Sequence, residues 1–151
     1  MNSAAEQDGF LIEQIVNSML NFARAPEALW PFAAVQAVRL LNMREHPNLF
    51  DSLGSTISPF RSAFPQENVP IDQLRTMFCP VCYLTSDRTK LDDRGDVGVY
   101  FGAAWESQFC SISVPHAHII FNGSWEGRFP ISADVYFDEE FRFAPEIYEM
   151  V

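Results

Sequence analysis

Apolar positions recur at helical spacing through the first part of the chain and change to strand-like patterning in the second. Leu11/Ile12, Ile15/Val16, Met19/Leu20 and Ala23 form one stripe of an amphipathic helix over residues 4–24. Ser3-Ala4-Ala5-Glu6 has the form of a capping box, with Ser3 as N-cap and Glu6 reaching back. Pro26 ends this helix. A second helix runs from Glu27 or Pro31 to Met43 and is apolar on most faces, through Phe32, Val35, Val38, Leu40 and Leu41. Such a helix needs partners on several sides, which one short neighbour hardly supplies. The pair therefore reads as part of a larger domain. Residues 46–73 carry Pro47, Gly54, Pro59, Pro65 and Pro70 and read as a linker, with one short helical turn over Ser58–Phe64. Strands are expected at Thr76–Leu84, Gly98–Phe101, Gln108–Val114, Ala117–Phe121 and Asp134–Phe137. Turn signals at Asp92-Asp93-Arg94-Gly95, Pro115, Asn122-Gly123 and Gly127 separate them, Asn122-Gly123 suiting a tight hairpin. The expected class is α+β: two N-terminal helices (1–45), a linker (46–73), a small antiparallel β-barrel (74–140) and an acidic tail (141–151).

Composition supports a packed domain. The chain is 48% hydrophobic, enough to bury a core and to exclude general disorder. No apolar run is long enough to span a bilayer. The opening M-N-S-A-A-E-Q-D resembles neither a signal nor a transit peptide. An intracellular protein, nuclear or cytoplasmic, with reduced cysteines is expected. The net charge of −10 is unevenly spread. Residues 1–64 hold four bases and six acids; residues 65–151 hold six bases against fourteen acids, a net of −8. A free-standing nucleic-acid binder needs a basic face to neutralise phosphates, and this balance argues against one.

Candidate chemistry is sparse. Cys79-Pro80-Val81-Cys82 is a C-x-x-C, but a zinc site needs four ligands and only Cys110, His116 and His118 remain. The thiols read as buried and structural. His116 and His118 alternate past Ala117 and are expected on one solvent-facing side of a strand. Arg88, Lys90 and Arg94 form the one basic cluster of the second half, as candidate phosphate contacts or as a solvated loop. Asp87, Asp92, Asp93 and Asp96 lie among them and oppose their field. Asp138-Glu139-Glu140 reads as solvated surface.

Two stretches carry a resemblance. Lys90–Phe101 reads K-L-D-D-R-G-D-V-G-V-Y-F and is followed by Gly102; Ile131–Glu139 reads I-S-A-D-V-Y-F-D-E. In that order they resemble the closing part of a Copia-type retrotransposon integrase region, with its K-L/W-D-P-R, G-I/V-F-L-G and V-I-S-R-D-V-x-F-D-E. Leu74–Val81, L-R-T-M-F-C-P-V, is similar to the family's L-R-T-F-G-C-P-V, with Phe78 standing where Gly is usual. Asn2–Gln7 resembles its N-G-x-x-E-R, and Met19-Leu20, Pro26 and Trp30 fall where the family has S-M-L, P and W. The resemblance implies the last helices of a ribonuclease H-like catalytic core followed by a Src-homology-3-like small barrel. It makes Glu6 the third carboxylate of a D, D, E set that holds divalent magnesium or manganese. The two Asp are absent from this chain, so it is expected not to catalyse DNA integration alone and to need no cofactor of its own. Its implied partners are DNA, bound weakly, or the remainder of the integrase. A basic protein is the alternative, in which the chain is an acidic, non-catalytic interaction module. Three departures stand out: the acidic balance, the absence of the family's His/His/Cys/Cys zinc module, and an extra hairpin expected over His116–Glu126.

Overall fold

A computed structural model describes residues 3–84, 95–104, 117–126 and 129–142. Helix α1, Ser3–Ala23, buries Val16, Leu20 and Ala23 and half-buries Ile12, Ile15 and Met19, which is the expected stripe. It stops where Arg24 turns to φ 51 and the Ala25 N–H donates to the Leu20 carbonyl at 2.9 Å. That left-handed closure satisfies a terminal carbonyl, and Pro26 prevents continuation. A single tight turn, Glu27–Leu29, then leads into α2, Trp30–Met43, with Pro31 in its first turn. Both expected starts of the second helix are thereby accounted for. α2 buries the small Ala33 and Ala37, which lets neighbouring elements approach closely.

The expected linker is structured. His46–Phe50 (β1) pairs antiparallel with Thr56–Ile57 (β2) in a separate ribbon. Asp51 makes its turn: Oδ1 accepts from the Leu53 and Ser55 N–H groups, both at 2.9 Å, and Gly54 supplies φ 81. The expected helical turn is α3, Pro59–Ala63, with Ser58 Oγ accepting from the Arg61 N–H at 3.1 Å. Pro47 inside β1 masked the strand in the sequence; a two-stranded ribbon tolerates it because both strands are edges.

The second half forms a five-stranded antiparallel sheet from Pro80–Leu84 (β3), Gly95–Ala103 (β4), His118–Phe121 (β5), Ile131–Ser132 (β6) and Val135–Phe137 (β7). Their order is β6-β5-β4-β3-β7. The expected strand Gln108–Val114 lies outside the described residues. Asn122-Gly123 does turn the chain after β5, with Gly123 at φ 90. The hairpin arm that follows is not 124–126, however. β5 pairs with β6, so the connection is longer than a tight turn and the expected His116–Glu126 hairpin is not formed.

The sheet is strongly curled. β5 and β7 stand three strand spacings apart, about 14 Å in a flat sheet, yet the rings of His118 and Phe137 are 4.9 Å apart. Tyr100 of β4 lies between them, 5.6 and 5.2 Å from the two rings. The outer strands β6 and β7 are joined by Ala133 and Asp134 alone, so the two edges are tethered within about 10 Å of each other. Two features of β4 permit the bend. A Cβ on Gly98 would stand 2.7 Å from the Phe121 carbonyl oxygen, so only glycine lets β5 come this close. Gly102, at φ 124, sits where the β4–β5 register slips between Tyr100 and Gly102.

The convex face of the sheet meets the helices. Phe101 stacks on Phe121 at 5.1 Å and touches Phe32 of α2 at 4.5 Å. One contiguous core runs from Val16, Leu20 and Leu29 through Phe78 to Val99, Phe101 and Phe121. The helix partners sought in the sequence are thus the strands of the same chain, and the expected boundary between 1–45 and 74–140 is crossed by shared packing.

Candidate functional site

Glu6 lies in the first turn of α1 and is exposed. A carboxylate is favoured there by the free N–H groups of the helix start. Ser3 is already helical, so it does not precede the helix as an N-cap would. Among the described residues no group of three or more His, Cys, Asp or Glu is placed to hold a metal ion. The described carboxylates therefore do not assemble the three-armed clamp that two divalent ions require. Arg88, Lys90 and Arg94 fall in 85–94, outside the described residues, as do Cys110 and His116.

The C-x-x-C is split by the strand it starts. Cys79 precedes β3 and is fully buried; Cys82 lies within β3 and is half-buried. Burial, reinforced by the nearby carboxylates of Glu139 and Asp138, pushes the Cys79 thiol up to about 12. The thiolate is the reactive form, so Cys79 is held inert. His118 is not solvent-facing as expected: its ring packs edge-on against Tyr100 and Phe137 on the concave face. Curling of the sheet, which the local sequence does not encode, is the reason.

The acidic end of the Ile131–Glu139 stretch has structural work. Asp138 is 1% exposed, and its N–H donates to the Pro80 carbonyl at 2.9 Å. Its Oδ1 accepts from Arg142 Nε at 3.3 Å. Glu139 Oε1 accepts from the Thr76 N–H at 2.7 Å. Phe141 sets its ring edge-on to Phe22 of α1, at 5.6 Å. These contacts fasten the end of β7 to the segment before β3 and to the helices. Glu139 and Glu140 are exposed as expected; Asp138 alone of the three acids is buried.

The structure also assembles two features that no local motif announces. Tyr100 is buried beside the Arg39 guanidinium of α2; burial raises its hydroxyl to about 12, against the opposing pull of Arg39. Separately, α2, α3 and β4 enclose a groove of about 800 Å³ walled by Trp30, Phe32, Phe60, Phe64 and Phe101. Among the described residues that line it the charged ones are Glu67 and Arg39, with no nucleophile–base pair, so the groove has the chemistry of an apolar contact surface. Its walls come from residues dozens of positions apart, which hid it from pattern reading. No helix of the described residues is long and apolar enough to cross a membrane. No family model matches the chain, and no curated protein or solved structure matches it.

Proposed function

We propose that this chain is a binding module from a Copia-type retrotransposon integrase region, not catalytic by itself. The observation that carries the reading is Phe78. It is fully buried yet adopts φ 63, the left-handed conformation that glycine takes without cost. It stands where the family motif has Gly. An isolated motif match would not bring this backbone conformation with it. Strand order supports the same reading. A meander of β3, β4, β5 and β6, with β7 returning beside β3, has tethered edges and needs only β6–β7 contact to close as a Src-homology-3-like barrel.

Divalent metal chemistry belongs to the intact family and does not fit the carboxylates described here, so no step is derived through it. In this reading Glu6 marks descent and caps a helix start. The activity left to the chain is weak DNA binding or docking to the remainder of an integrase. Strand-transfer assays with magnesium or manganese should give no product from the isolated chain, and Glu6→Gln should leave its duplex-DNA binding unchanged. Metal-dependent strand transfer lost in Glu6→Gln would overturn the non-catalytic reading.

One observation favours a second reading, an acidic module that binds a basic protein: the −8 balance of residues 65–151. Salt separates the two. DNA binding near physiological salt that weakens steeply as salt rises supports the integrase reading. Absence of DNA binding even at low salt, with a stable complex on a basic protein, supports the acidic module.

A further inference from the structure

The convex face of the sheet is buried in one part and open in another. Pro80, Val99 and Phe101 are buried. Two residues further along β3 and β4 the same face opens to solvent. Register places Tyr136, Cys82 and Val97 in one row across β7, β3 and β4. Tyr136 is 56% and Val97 52% exposed, and Leu84, on the same side of β3 as Cys82, is 50% exposed. A sheet face normally buries its apolar side, so this uncovered continuation is a contact surface.

We infer that this patch docks a basic amphipathic protein segment. The inference rests on the acidic-module reading and names its surface. Charge selects the occupant. Asp134 adjoins Leu84, whose N–H donates to the Asp134 carbonyl at 3.2 Å. Glu140 stands just beyond β7. Both described cations at this edge are engaged: Arg142 contacts Asp138 at 3.3 Å and Glu140 at 3.5 Å and donates to Tyr136 Oη at 3.0 Å, while Arg75, 5.4 Å over the Phe137 ring, donates to the Asp72 and Leu74 carbonyls at 3.0 and 2.8 Å. Phosphate backbones are repelled by such a rim. A second copy docked face to face would bring the same acids together. Lysine or arginine beside an apolar anchor satisfies both the patch and its border.

The test titrates the full chain with a synthetic amphipathic peptide of lysine and leucine, and with its glutamate–leucine counterpart. The lysine peptide should bind, more weakly as salt rises, and should shield Cys82 from maleimide. Val97→Lys and Tyr136→Lys, both at exposed positions that leave the core intact, should each weaken binding at least tenfold. Leu53→Lys, 88% exposed on the β1–β2 turn, should change it less than twofold. Binding that ignores the patch substitutions would overturn the patch while leaving the acidic-module reading in place. Binding of neither peptide would overturn both, and preference for the glutamate peptide would reverse the charge argument.

Discussion

Two side chains are held in states their free chemistry disfavours, and each predicts a measurable response. Phe78 combines full burial with φ 63. Replacing it with glycine relieves about 1–2 kcal/mol of backbone strain but removes a core aromatic worth about 3–5 kcal/mol. Burial wins, so Phe78→Gly should destabilise the protein by roughly 2 kcal/mol in denaturant unfolding, even though glycine is the residue its backbone suits. Cys79 gives a pH signature. Its thiol ionises near 9.0 when unfolded and near 12 when folded. Below 9 both states hold the proton and nothing is lost. As pH rises from 9 towards 12 the unfolded state alone releases it, so stability falls across that window. Tyr100, also raised to about 12, acts in the same direction. Cys79→Ala should flatten the alkaline decline in Tm between pH 9 and 11.

Among the elements, β4 decides the shape of the sheet. Gly98→Ala would set a Cβ 2.4 Å from Ile120 Cγ2 and 2.7 Å from the Phe121 carbonyl oxygen. The side chain can move; the backbone oxygen cannot without breaking the β4–β5 ladder. A loss of about 2–3 kcal/mol is expected from such overpacking, read as a lower urea midpoint. Elements with a long, regular period were legible in the sequence. The stripe of α1, the apolar α2 and the alternation into β3, β4, β5 and β7 fall where pattern reading puts them. The short strands were not. β6 has only Ile131–Ser132, too few residues to show a period, and β1 hides behind Pro47. Of the candidate sites, the burial expected of Cys79 is borne out. His118 and Asp138 were misplaced because their surroundings come from strands that meet only when the sheet curls. Register, not sequence spacing, assembles the exposed row of Tyr136, Cys82 and Val97.

Across the whole molecule, helices and sheet share one core, and neither half has a substitute for the other. Removing 1–45 would uncover Phe101, which packs with Phe32 of α2 and stacks on Phe121. Fragment 74–151 is expected to aggregate or to show poorly dispersed amide resonances, despite containing every strand of the five-stranded sheet. Residues 1–45 alone should do the same, because the face of α2 that Phe32 occupies would meet water. A dispersed, monomeric spectrum from either fragment would contradict a shared core.

The attachment of β7 has a mechanical consequence. Among the described strands it pairs with β3 alone, over Val135–Phe137, and just beyond it Asp138 and Glu139 fasten the chain while Phe141 leans on α1. Tension applied through Arg142 would load those few bonds one after another, as in opening a zip, rather than shearing a long ladder all at once. A molecular motor drawing the chain in from that side should therefore meet little resistance before the sheet opens. Traction from Met1 would instead have to strip α1 from the core first.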